Sequence, residues 1–289
     1  MGWLADDLIH SLSLVPGSNE RDQLASLLRS AERVRLSAAF AEAAAATVRD
    51  GCHGIERNLD RLRFDTPALW LEYDHAPRLA AFGGGAAGVH PPETVGCLVA
   101  RDPEAGDHVA VFVAWRFANG KVHHSYAILH WDLARLFSLS AASPPRDDGG
   151  AADRLMEAAG VDIPPGLMGE MEIWQGYDAA NHPWRDLAVE QTMRDASGEH
   201  IFLLSALMLL GSSATETVPW TPPPPDNVPA NDDGEGGGAA AGEAAAAPAG
   251  WREARLRPGL TRPWPWSRGG FEAVPFSGTL GWSPIRARR

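Results

Sequence analysis

Lysine is all but missing from this 289-residue chain. Lys121 stands alone, and the other 24 basic residues are arginine. Alanine is abundant, so the skew reads as a GC-rich coding bias. An arginine here is not by itself a chosen phosphate ligand, although arginine binds carboxylate and phosphate bidentately where it is placed for it. Cysteine is almost as scarce. Cys52 and Cys97 make no CxxC pair and no zinc-ligand spacing. Their ordinary reading is two buried thiols in a reducing compartment, with a single disulfide between them the alternative. Long apolar runs are absent too. The longest, Ile201 to Leu210 (IFLLSALMLL), is half the roughly 20 residues that span a bilayer, so a buried helix is expected. The opening MGWLADDLIHSLSLVPG has no basic region and is broken by Asp6, Asp7 and His10, unlike a secretory signal. Asp6 stands where a myristoylation motif wants Ser or Thr. The expectation is a soluble, cytoplasmic chain without a membrane partner.

What is present is enough to fold. Hydrophobic residues make up 45% of the chain, so a sizeable core can form and wholesale disorder is excluded. The formal net charge of −12 hides a split. Residues 1–249 carry 17 Lys+Arg against 35 Asp+Glu, a balance of −18, whereas residues 250–289 carry 8 Arg against 2 Glu, a balance of +6. An acidic body and a basic tail have different physical chemistry and should not be averaged.

The pattern along the chain predicts α+β architecture. Leu24, Leu27, Leu28, Ala31, Val34, Ala38, Ala41, Ala45 and Val48 step by threes and fours, which predicts one helix over 19–49. Its second half is so rich in alanine that its neighbour must approach closely. TPALWLEYD (66–74) alternates as a strand, with Leu69, Leu71 and Tyr73 on one face and Trp70, Glu72 and Asp74 on the other. Further strands are expected at 95–101, 108–117 and 121–131, the last two joined through Asn119-Gly120, a strong hairpin signal. HVAVFVAWRF, apolar on both faces around Phe112, reads as a central strand covered on both sides. Short connections favour a mainly antiparallel sheet of about four strands, flanked by helices. Short helices are expected at 151–159 and 186–194, and another over 199–210. The body would then be 1–218, followed by a Pro/Gly/Ala-rich acidic linker over 219–250, in which 22 of 32 residues are of those three types. Its composition predicts a disordered coil with a root-mean-square span of roughly 30 Å. Residues 251–289 would be a basic Arg/Trp-rich arm on that tether.

Four groups of residues are candidates for chemistry. Gly83-Gly84-Gly85-Ala86-Ala87-Gly88 matches G-x-G-x-x-G, but His90-Pro91-Pro92 follows where a phosphate-binding helix would have to begin. A surface loop is the simpler reading. Glu72, Asp74, His75 and His90 have the donor types to hold a divalent metal and activate water, as in a metal-dependent hydrolase. The plainer reading is a solvated strand end. His124 and His130, with Tyr126 between them, share a strand face but lie roughly 20 Å apart at strand rise, too far to bind one ion. His123 and His108 could meet across the hairpin. The arm itself interleaves arginine with Trp251, Trp264, Trp266, Phe271, Phe276 and Trp282. That is the chemistry of single-strand nucleic-acid grooves and equally of protein hot spots. The alternative is self-docking onto the acidic body.

TPALWLEYD (66–74), GCLVARD (96–102) and IFLLSALMLLGSSATETV (201–218) together resemble, in their order, a group of uncharacterised phage and prophage proteins of alphaproteobacteria. Those proteins also tend to end in an Arg/Trp-rich tail. The resemblance covers about 35 residues and implies a mobile-element setting but no activity and no site residues. No catalytic signature survives its structural context, and nothing calls for a cofactor. The leading expectation is a non-enzymatic interaction protein acting through Arg252, Arg255, Arg257, Trp264, Trp266 and Arg268, its partner a protein, its own acidic body or nucleic acid. A metal-dependent hydrolase and a virion assembly component are the alternatives.

Overall fold

A computed structural model describes residues 3–14, 19–50, 62, 66–81, 91–104, 106–125, 127–134, 136, 170–173, 199–212, 214–220 and 250–257. The expected helices at 151–159 and 186–194, the glycine loop at 83–88, Cys52, Tyr126 and His90 lie outside these residues.

The amphipathic helices α1 (Leu4–Ser13) and α2 (Asn19–Ser30) come first. The single helix expected over 19–49 is not what forms. Strand β1 (Glu32–Leu36) interrupts it, and α3 (Ala38–Asp50) follows. The reason is local. E-R-V-R-L alternates, burying Val34 and Leu36, and Ser37 then starts a new helix by accepting the Phe40 N–H on its hydroxyl at 3.3 Å. Val34 fits a helical stripe and a strand equally well, so periodicity alone could not separate them.

β2 (Ala68–Asp74) runs directly into a short helix, α4 (His75–Ala81). β3 (Thr94–Arg101), β4 (His108–Arg116), β5 (Val122–His124), β6 (Ala127–Asp132) and β7 (Glu170–Ile173) follow. Residues 199–210 are helical (α5), as expected, and lead to β8 (Thr215–Pro219) and β9 (Trp251–Leu256). The β4–β5 turn is the expected Asn-Gly hairpin, with Gly120 at φ 76°, where glycine carries no Cβ penalty. The expected strand over 121–131 is two, because two extra residues are accommodated around Ser125 between the pairs Ala114–His124 and Val111–Leu129.

The fold is α+β, and its sheet is larger and more mixed than expected. The strand order is β7-β6-β4-β3-β2-β1-β9-β8, with β5 also paired to β4. β1 is parallel to both β2 and β9, and the other pairings are antiparallel. The expected antiparallel sheet is its centre.

Both faces are covered. Val34, Leu36, Leu69, Leu71, Tyr73, Val95, Cys97, Val99, Val111 and Val113 pack with α3 and α5. Here the alanines of α3 permit close approach, and Ser205 of α5 donates to the Ala44 carbonyl at 3.0 Å. On the opposite face Trp70, Leu98, Phe112, Ala114 and Trp251 lie beneath Leu4, Leu8, Leu12, Leu24 and Leu28 of α1 and α2. β4 is therefore the doubly covered central strand that its sequence predicts. Among the described residues no helix is long and apolar enough to cross a membrane.

The boundary expected at 219–250 falls differently. β9 sits inside the sheet, between β1 and β8. The segment 219–250 also does not separate two distant bodies. The Trp220 N–H donates to the Trp251 carbonyl at 3.1 Å, so the described residues on either side of 221–249 meet at one point of the sheet.

Candidate functional site

β2 alternates, so it delivers polar groups to both sides of the sheet. Tyr73 faces α3 and α5. Its hydroxyl donates to Glu199, at the start of the described part of α5, and Arg78 of α4 pairs with the same carboxylate. Arg78 also donates to the Tyr73 oxygen at 3.3 Å and stacks over Phe202 at 5.0 Å. His75 joins this group at the β2–α4 junction, where its backbone N–H donates to Glu93 at 2.8 Å. The residue is 7% exposed, and Nδ1 has no hydrogen-bond partner.

The electrostatics fix the protonation states. Burial lowers the His75 pKa from 6.5 to about 4; Glu199 opposes that and Arg78 reinforces it, so the ring is neutral at pH 7. Burial pushes Glu199 up, but Arg78, His75 and the Tyr73 bond outweigh it and hold the carboxyl below its ordinary value. Burial, then the Glu199 charge, raises both Tyr73 and Cys97 well above their ordinary values. The Cys97 thiol is therefore protonated and a poor nucleophile. It is free and buried. Glu199 is thus held as a carboxylate between Arg78 and Tyr73 with a neutral His75 nearby, while Tyr73 and Cys97 stay protonated.

Glu72 points the other way and is fully buried. It accepts from the Leu4 N–H at 3.3 Å and from the Trp70 indole at 3.1 Å, and it lies 3.6 Å from Arg35. It thus caps α1 from a distant strand, satisfying an N–H that the helix itself leaves open. Burial pushes its carboxyl up against the downward pull of Trp70, Arg35 and Leu4. Asp74 pairs with Arg35 at 2.7 Å and is exposed. Glu72 and His75 therefore engage separate networks on opposite faces, so the three described members of the proposed cluster, Glu72, Asp74 and His75, do not converge, and His90 lies outside the described residues. Among the described residues no group of three or more His, Cys, Asp or Glu is arranged to hold a metal ion. The plainer reading also needs correcting, because Glu72 is not solvated. Trp70 was the available signal, since a tryptophan two residues away on the same face marks a covered face.

The histidines of the hairpin do not converge either. His123 makes an edge contact with Phe117 at 5.3 Å. His124 lies 5.6 Å from Phe112, and its Nδ1 approaches the Ser125 carbonyl. His108 is opposite Asp132, and His130 is opposite Ala110.

Of the six arm residues, Arg252, Arg255 and Arg257 belong to or directly follow β9. Arg252 pairs with Glu32 of β1 at 3.1 Å, and Arg255 with Glu253. Arg257 extends the pairing, its N–H donating to Ala214 and its Nε to Thr215 at 3.3 Å. Trp264, Trp266 and Arg268 lie outside the described residues. Sequence reasoning missed a cluster that forms around the same strand. Trp3 stacks on Trp251 at 3.8 Å, meets Trp220 edge-on at 4.6 Å and carries Arg35 over its ring at 5.5 Å.

No family model, curated protein or solved structure matches the chain.

Proposed function

We propose that the protein is a non-enzymatic interaction protein in which the sheet carries two chemically opposite segments, one from each end of β9. The observation that supports this reading is the place of β9 between β1 and β8. Residues 221–249 precede the strand and hold five acidic and no basic side chains. Residues 258–289 follow it and hold five Arg against one Glu, with Trp264, Trp266, Phe271, Phe276 and Trp282 interleaved. A paired strand fixes where the basic segment starts, so Trp264, Trp266 and Arg268 are its recognition residues. Arg252, Arg255 and Arg257 hold its root. The partner is a protein, because arginine with tryptophan is the composition of interface hot spots. The order of the three sequence pieces favours a phage or mobile-element setting, which flanking capsid, portal or integrase genes would support.

The test is a chain ended after Arg257, which keeps β9. A chain ended at 250 would remove an interior strand and test folding instead. The shortened chain should keep its circular dichroism and melting temperature and lose its partners in pull-down. Unchanged partners would refute the reading. Binding that falls steeply with salt would assign the segment to nucleic acid instead.

A further inference from the structure

The residues at the start of α1 engage Arg33 and Arg35 of β1, and β9 shares Arg33. Arg33 and Arg35 alternate along β1 and both face α1. Arg33 donates to Asp6 at 2.8 Å while its guanidinium lies over the Trp251 ring at 5.6 Å. Arg35 lies over Trp3 at 5.5 Å while it holds Asp74 and Glu72. Trp3 closes the circuit by stacking on Trp251, with an interplanar angle of 18°. One turn further along α1, Asp7 reaches Arg116 of β4 at 3.1 Å.

β8 and β9 depend on the same place. Among the described residues, β8 pairs with β9, and β9 joins the rest of the sheet through parallel pairing with β1 over four register pairs from Arg33 to Leu36. Ser37 adds one backbone bond to Ala254 at 3.0 Å. Parallel pairing is slightly weaker per residue than antiparallel. The side chains over the junction therefore decide how firmly the hairpin is held, and on the α1 face these are Trp3, Trp251 and Arg33.

We infer that Trp3, at the start of α1, and the β8–β9 hairpin form a clasp: they open and close together on β1, while Leu8 and Leu12 keep the rest of α1 on the β2–β3–β4 centre. Both segments that leave β9 are attached to the moving half. Opening would bare Trp3, Trp251 and the outer edge of β1 at once. The clasp rests on the contacts above and stands whether or not the segments bind a partner.

Amide hydrogen exchange on the full chain tests it, because local openings are read segment by segment. Trp3→Ala should speed exchange of the first-turn α1 amides and of the β9 amides at 251–256, several-fold to about ten-fold for loss of one aromatic pair. The β3 and β4 amides should stay near their wild-type rates. Trp251→Phe, made from the other side, should likewise speed exchange in the first turn of α1. If Trp3→Ala does not fold, Trp3→Phe and Asp6→Asn give the same comparison with less damage. Faster exchange in the first turn of α1 with β9 unchanged would overturn the clasp, as would an equal rise throughout β3 and β4.

Discussion

The two faces of the sheet handle buried charge in different ways. On the α3 face, buried Glu199 pairs with the part-buried Arg78, with Tyr73 completing the carboxylate's bonds. On the α1 face, Glu72 is fully buried but its cation, Arg35, is 23% exposed and shared with Asp74. In the first network the carboxylate's partners, Arg78 and Tyr73, lie beside it under the α5 face. The second is a buried anchor wired outward, to water and to the first turn of a helix. One strand feeds both, through adjacent residues Glu72 and Tyr73. The lesson is that burial of a charged group does not by itself mark an active site; where its partner ends up decides whether it is a closed pair or an adjustable joint.

The sharpest way to break this comparison is to remove one anion from each face. Glu199→Leu removes the buried carboxylate that both Arg78 and Tyr73 engage and should cost about 3–5 kcal/mol, read from the denaturant midpoint. Adding Arg78→Met should recover most of that, because an apolar replacement of a buried pair is often neutral. Glu72→Gln should cost less, about 1–3 kcal/mol. A glutamine offers one carbonyl oxygen to two donors, Leu4 and Trp70, while Arg35 keeps Asp74. Equal losses would mean that the faces do not differ.

Next in size is Gly96→Ala. A Cβ there would lie 2.0 Å from Cζ2 of Trp70, so the indole that bonds Glu72 must move. Overpacking of this kind should cost about 3 kcal/mol and loosen α1 before it disturbs α3. A melting temperature unchanged by the substitution would show that the α1 face has room to spare.

The last difference is in pH, where the faces have opposite signs. His75 in the unfolded chain takes up its proton near pH 6.5, but in the fold it resists until about 4. Stability therefore falls as pH drops from 6.5 toward 4, by about 3 kcal/mol at most. Glu72 is raised above its ordinary 4.5, so its contribution favours the fold in acid and is lost as pH rises through the raised value. His75→Gln should flatten the acid-side fall seen in urea titrations at successive pH values. An unaltered profile would place the proton uptake elsewhere.

The centre of the fold was legible because it is locally written. HVAVFVAWRF is apolar on both faces, and TPALWLEYD alternates cleanly, so β4 and β2 were readable without partners. β1 and β9 were not. ERVRL is five residues long, and its Val34 falls in phase with the helices on either side. WREARL buries Trp251 and Ala254, three residues apart, and shows no clean alternation. Its status as a strand comes from pairing with β1, across more than two hundred residues of chain, and no local pattern carries that information. The same gap explains the misplaced site. Glu72 and His75 are three apart in sequence, and the alternation that puts Glu72 and Asp74 on one face of β2 continues past the strand end and sends His75 to the other. The Trp3–Trp251 contact was visible only as two tryptophans near opposite ends of the chain.

The parallel pairing of β1 with β9 also sets a timetable. β1 leaves the ribosome well before its outer neighbour, which is finished only at residue 256. At 5–20 residues per second, the wait is roughly ten to forty seconds. Throughout it, the nascent chain presents an unpaired strand edge, the kind that templates aggregation. Glu32, Arg33 and Arg35 place charge along that edge, and charged edges pair poorly with strangers. The residues that grip α1 and Trp251 in the finished protein would thus already have guarded the strand during synthesis.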